Sequence, residues 1–141
     1  MALNEEYLPI GSDIIGAAFD VMRHAGPGLR EKYYEAALQY ELEQKGHKIK
    51  RQAMVPVIYR GVVVDESYLA DLVVDEKVII EVKAKSVLLE SECRQLVTYL
   101  KLSDYRLGYL INFGSQNFQT GKTDEPMPYK KGIYRFVNKM K

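Results

Sequence analysis

Residues 71–83 read DLVVDEKVIIEVK. Two runs of β-branched residues flank the polar triplet Asp75-Glu76-Lys77. Such runs with a turn signal between them predict a β-hairpin. Side chains alternate along a strand, so Ile79, Glu81 and Lys83 share one face, and Val78, Ile80 and Val82 the other. A three-residue turn pairs Val74 with Val78 and sets Asp71 opposite Glu81; a two-residue turn shifts this by one position. Like charges opposed across a sheet are destabilising, and burial adds to that cost. A divalent cation between the two carboxylates would relieve it. Oxygen-only ligands suit Mg²⁺ or Mn²⁺, and Lys83 on the same side could position water or stabilise charge on a phosphate. The competing reading is a surface hairpin with solvated charges, or an ion pair from Asp71 or Glu81 to Lys83. Spacing alone does not separate the two.

Residues 12–25, SDIIGAAFDVMRHA, place Ile14, Ile15, Ala18, Val21 and Met22 at helical spacing, with Ser12 as the N-cap. Gly26-Pro27-Gly28 ends that helix. Residues 30–45 predict a second helix with the stripe Tyr34, Ala37, Leu38 and Leu42, stopped at Gly46. Residues 48–59 and 62–74 predict strands joined at Arg60-Gly61, and Pro56 marks the first as an edge strand or a bulged one. A third strand covers 78–84. Residues 88–103 return to helical spacing, with Leu89, Cys93, Leu96 and Leu100 on one face. A strand at 107–113, a polar loop at 114–131, a strand at 132–137 and a basic tail, Lys139 to Lys141, complete the chain. The order α-α-β-β-β-α-β-β predicts an α/β fold, a central mixed sheet flanked by helices.

A chain of 141 residues suits a single domain over 1–141. No apolar run reaches the roughly 18 residues of a membrane span. The start, MALNEEYLPI, lacks the layout of a secretory signal, and the single Cys93 fits a reducing compartment, so a cytoplasmic protein is expected. Cys93 sits on an apolar stripe and reads as a buried structural thiol. His24 and His47 form no zinc pattern with it. The net charge is +1, so contact with nucleic acid would rest on a local patch. Lys48, Lys50, Arg51, Arg60, Lys83, Lys85 and Arg94 form either such a rim or a solvated face.

Asp71, nine residues, then Glu81-Val82-Lys83 resembles the motif of the PD-(D/E)XK nuclease superfamily. Upstream, Gly28-Leu29-Arg30-Glu31-Lys32-Tyr33-Tyr34 resembles the signature of the GxxExxY protein family within it. Gly26-Pro27-Gly28, Tyr59-Arg60-Gly61, Tyr68-Leu69-Ala70-Asp71, Gln95 with Tyr99-Leu100-Lys101, and Leu110-Ile111-Asn112-Phe113-Gly114 extend the resemblance over about residues 10–138. Ala70 stands where the superfamily usually has Pro.

The resemblance implies a restriction-endonuclease-like core and a metal-dependent nuclease, with DNA as the expected substrate. It implies that Asp71, Glu81 and the Val82 backbone carbonyl hold Mg²⁺ or Mn²⁺, with Glu31 supporting a second metal or its water shell. Lys83 would position the attacking water and Gln95 would orient substrate or Lys83. Tyr34 would fix the position of Glu31, and Tyr99 would support the site beside Gln95. Homodimerisation is an expectation of the same kind, because many such nucleases cut two strands as dimers. The alternative is a nucleic-acid-binding or protein-interaction module that keeps the fold without cutting.

Overall fold

In the computed structural model, which describes residues 5–115, 118–122 and 132–138, the hairpin at 71–83 supplies two inner strands of a six-stranded mixed sheet. The elements in chain order are α1 (Tyr7–Ala25), α2 (Glu31–Gln44), β1 (Ile49–Met54), β2 (Val57–Tyr59), β3 (Val62–Asp65), β4 (Leu69–Val74) and β5 (Val78–Lys83). They continue with α3 (Glu90–Lys101), β6 (Leu107–Asn112), β7 (Gln119–Lys122) and β8 (Gly132–Val137). The main sheet runs β1-β4-β5-β6-β8-β7, and β2 with β3 forms a separate two-stranded sheet. The chain passes from β5 through α3 to β6, which pairs parallel with β5. This is the helical crossover that parallel neighbours require.

Three layers result. Val74, Val78, Ile80, Val82, Tyr109 and Ile111 pack with Ile14, Ala18, Leu38 and Leu42 on the α1–α2 face. Val73, Ile79, Leu110 and Phe136 pack with Cys93, Leu96 and Leu100 on the α3 face. The inner strands are apolar on both faces because helices cover both.

Several boundaries differ from the sequence reading. Helix α1 begins at Tyr7, after Glu6, so Ser12 lies inside it and caps nothing. The expected strand 48–59 breaks at Val55-Pro56 into β1 and β2, because proline carries no N–H for a ladder. The β1 part is indeed an edge strand. The expected strand 62–74 also divides, into β3 and β4. Leu89 precedes α3 and is exposed, and Leu88 is buried in its place. Strand β7 lies inside the expected polar loop. Residues 116–117 and 123–131 of that loop, and the tail 139–141, lie outside the described residues.

Tyr34 shows what the segment 28–34 does structurally. Its hydroxyl donates to Gly26 O at 2.5 Å and accepts from Leu29 N–H at 3.1 Å, and its ring stacks on Phe113 at 4.5 Å. One buried tyrosine thus ties the α1–α2 link to α2 and to the end of β6. Gly26 (φ 70) and Gly28 (φ 103) supply backbone conformations that other residues adopt at a cost.

At the turn end of the sheet, His47 bridges two carboxylates. Its Nδ1 meets Asp75 Oδ2 at 2.6 Å and its Nε2 meets Asp13 Oδ2 at 2.7 Å. Burial opposes the charged ring, but hydrogen bonds and charges from Asp75 and Asp13 outweigh it, so its pKa is raised above 6.5. A raised folded-state pKa adds stability that is full below the unfolded value and disappears as pH rises through the folded one. We expect the melting temperature to fall by a few degrees over that window. His47→Gln should flatten the fall, which thermal melts of both proteins across that range would show.

Candidate active site

Beyond Leu72 and Ile80 the β4–β5 ladder stops. The register Val74–Val78, Val73–Ile79, Leu72–Ile80 is that of the three-residue turn, and one further step sets Asp71 beside Glu81. Here carboxylates replace backbone carbonyls as acceptors. Asp71 N–H donates to Glu81 Oε1 at 3.1 Å, and Val82 N–H donates to Asp71 Oδ2 at 2.8 Å. The N–H and C=O of one strand residue point the same way, so the Val82 carbonyl also faces the side of Asp71.

A matching irregularity lies on β1. Gln52, between the pairs Arg51–Leu72 and Ala53–Ala70, has φ 49. Alternation breaks there. Arg51 Nε reaches Glu35 Oε1 of α2 at 3.2 Å, whereas Ala53 packs on the α3 face. On β4, Ala70 and Leu72 likewise belong to opposite cores. Local breaks of this kind re-aim side chains. The result is a relay: Gln52 Nε2 donates to Glu35 Oε1 at 3.1 Å and to Asp71 Oδ1 at 3.0 Å. Glu35 is only 4% exposed.

On the α3 face, Glu81, Lys83, Glu92, Gln95, Tyr68 and Tyr99 line a cleft of about 180 Å³. Tyr68 donates to Glu81 Oε1 at 3.0 Å and stacks on Tyr99 at 3.7 Å. Glu92 receives Lys85 Nζ on Oε1 at 2.7 Å, while its Oε2 is buried without a hydrogen-bond partner among the described residues. Burial, then the charge of Asp71, pushes Glu81 up to about 7, against the opposing pull of the Asp71 N–H, Tyr68 and Lys83. Burial, followed by Glu81, also raises Tyr68, which keeps its proton for that hydrogen bond.

Thus Asp71 and Glu81 meet directly, and Lys83, Gln95 and Tyr99 stand around Glu81. Glu31 is half-buried at the start of α2, and its charge acts on Lys85. Tyr34 holds the α1–α2 link and makes no hydrogen bond to Glu31 among the described residues. Glu35, Gln52, Tyr68 and Glu92 were not singled out in the sequence as site residues. Glu35 and Glu92 had a signal, lying four residues after Glu31 and three before Gln95 on the same helices. The positive φ of Gln52 leaves no trace in its residue type.

Among the described residues, no three His, Cys, Asp or Glu side chains gather closely enough to hold a metal ion. Two carboxylates and a carbonyl nevertheless fit a hard cation that keeps much of its own water. The unrelieved repulsion at Glu81 is what such a cation would offset. The proposed basic rim is largely neutralised: Lys50 pairs with Glu76, Arg51 with Glu35, Lys85 with Glu92 and Arg94 with Glu90. Burial, reinforced by Glu92 and Glu90, pushes the Cys93 thiol up to about 12, as for an inert structural residue. A wider cleft of about 370 Å³ lies near the turn end, by Tyr7, Lys50 and Tyr105, away from the carboxylate pair. No helix among the described residues is long and apolar enough to cross a membrane.

Comparison with known proteins gives no match to a curated protein or to a solved structure. The family comparison does match: the pattern of the PD-(D/E)XK nuclease superfamily covers residues 9–123. That span includes α1 from Pro9 onward, all of α2, the paired carboxylates, Lys83 and all of α3. With most of its length accounted for in this way, the chain belongs to the PD-(D/E)XK nuclease superfamily.

Proposed function

We propose that this protein, a member of the GxxExxY group, hydrolyses phosphodiester bonds in DNA with the help of Mg²⁺ or Mn²⁺. The observation that carries this reading is the carboxylate pair itself: Asp71 and Glu81 meet where two strands part, and Glu81 lines a cleft with Lys83. Asp71, Glu81 and the Val82 carbonyl would hold the cation, whose Lewis acidity draws charge from a phosphate and acidifies water.

The chain's own residues do the rest. Hydrogen bonds from Tyr68 and the Asp71 N–H favour the ionised form of Glu81, as does the charge of Lys83. Lys83 can hold a water or a phosphate oxygen as charge develops. Gln95, exposed at the cleft, can orient substrate by its amide. Gln52 fixes Asp71 against the buried Glu35. Glu31, whose charge reaches Lys85, would support a second cation or its water shell.

Plasmid and single-strand cleavage with Mg²⁺ or Mn²⁺ tests the proposal. Asp71→Ala and Lys83→Ala should each lose at least about a hundredfold in rate with unchanged circular dichroism. Undiminished cutting by both variants would sink the assignment. One observation favours a non-cleaving binding module: both carboxylates already serve backbone N–H groups, which is a structural role. Salt-dependent retention of DNA without metal-dependent turnover would select that reading.

A further inference from the structure

Four large apolar side chains are exposed at the end of the sheet where the carboxylates lie. Met54 ends β1 and pairs with Leu69, which opens β4 and lines the cleft. Val87 and Leu89 lie in the connection that leaves β5 after Lys83 and enters α3 at Glu90. The antiparallel register of β1, β4 and β5, together with this connection, puts all four at the carboxyl end of β5. Met54, Leu69, Val87 and Leu89 are 46%, 50%, 67% and 54% exposed. Apolar surface gathered around a site marks it for a ligand that is itself partly apolar. Within the cleft, Tyr68 stacks on Tyr99 at 3.7 Å while its hydroxyl holds Glu81.

The cations of this region are committed elsewhere. Lys85 is tied to Glu92 at 2.7 Å, Arg94 to Glu90 at 2.5 Å and Arg51 to Glu35 at 3.2 Å. The net charge of the chain is only +1. A duplex hides the faces of its bases in the stack, so a protein grips it chiefly by its phosphates and needs many cations to do so. A strand without a partner exposes its base faces, which pack on apolar and aromatic side chains. An apolar rim with paired cations suits the second ligand and not the first. A protein lying across the same rim would bury two carboxylates and a lysine with nothing to repay their desolvation.

We propose that the substrate of this site is DNA with unpaired bases, a single strand or the overhang of a duplex. Its bases rest on Met54, Leu69, Val87 and Leu89 while one phosphate lies at the carboxylate pair. The inference names the substrate class of the nuclease reading and rests on it for the kind of ligand.

Fluorescence anisotropy in chelator, with a labelled single-stranded oligonucleotide and the same sequence as a blunt duplex, tests it without turnover. The single strand should bind at least about tenfold more tightly. Its logarithmic affinity should fall with the logarithm of salt at a slope of about −2 or shallower, as few phosphates are neutralised. The double variant V87S/L89S touches only exposed side chains and should weaken the single strand by about fivefold or more, leaving the duplex unchanged. Far-ultraviolet circular dichroism checks that the variant is folded. With Mg²⁺ or Mn²⁺ added, the native protein should cut the single strand and the overhang before the blunt duplex. A duplex bound and cut as readily as the single strand, or a rim variant that binds like the native protein, overturns the proposal. Retention of neither form also overturns it and leaves the rim to a protein partner. Single-strand binding that depends on the rim, with no cutting by the native protein, upholds the rim as the strand contact and sinks the nuclease reading alone.

Discussion

Glu81→Gln should lose nuclease activity by at least about a hundredfold and yet make the metal-free protein more stable. The two effects have one cause. Burial and Asp71 raise the Glu81 pKa from 4.5 to about 7, so ionising it in the fold is costly. At about 1.4 kcal/mol per pH unit, that shift corresponds to about 3 kcal/mol of stability lost above pH 7. The sign follows from the raised value. Below pH 4.5 the group is protonated in both states and nothing is lost, whereas between 4.5 and about 7 the folded state holds the extra proton and stability falls as pH rises. Glutamine keeps an oxygen for the Tyr68 hydroxyl and the Asp71 N–H but carries no charge. A gain of about 1–3 kcal/mol at pH 8 is expected, read by urea unfolding in chelator. Added Mg²⁺ should stabilise the native sequence and leave the variant unchanged, because only a bound ligand shifts the equilibrium. A variant less stable than the native protein in chelator would show that the carboxylate is wanted for structure.

The same residue shows how much could be seen in the sequence. Strand alternation placed Glu81 and Lys83 on one face, because period is a local property, and of the two turn lengths the sequence allowed, the three-residue one that sets Asp71 beside Glu81 is the one formed. The order of helices and main strands was legible for the same reason. What was not legible depends on distant neighbours. Gln52 takes a left-handed conformation so that its amide can join Glu35 to Asp71, and no residue type announces that. Val57–Tyr59 and Val62–Asp65 have the composition of strands continuing the main sheet, yet the kink at Val55-Pro56 carries them away from it. The resemblance makes Glu31 the acidic residue that α2 brings to the site. One turn further on, Glu35 is the one buried and linked to Asp71, because the Arg51 and Gln52 donors that meet it are strand residues.

The segment Leu110 to Gly114 also acquires a physical reason, and with it the second large expected effect. Gly114→Ala should destabilise the fold by about 3 kcal/mol or more and lower activity with it. A Cβ at Gly114 would lie 2.4 Å from Lys85 O, 2.5 Å from Lys85 N and 2.6 Å from Lys85 C. These are backbone atoms that cannot swing aside. Asn112 holds them in place: its Oδ1 accepts Lys85 N–H at 2.9 Å and its Nδ2 donates to Lys85 O at 3.0 Å. Phe113 N–H donates to Lys83 O at 2.8 Å, and the Phe113 ring carries Tyr34. The close approach of the two chain segments therefore sets the end of β5, where Lys83 leaves the sheet for the cleft. Relief of the clash requires Lys85 to withdraw, which breaks the Asn112 pair and moves Lys83. Gly16→Ala is the control: apart from its chain neighbours and its own helix backbone, nothing lies within 4 Å of its added Cβ, and within α1 alanine should stabilise by up to about 1 kcal/mol. Thermal melts and metal-dependent cleavage of both variants separate the cases. A Gly114→Ala protein that melts with the native chain and cuts at the native rate would mean that this contact does not position the end of β5.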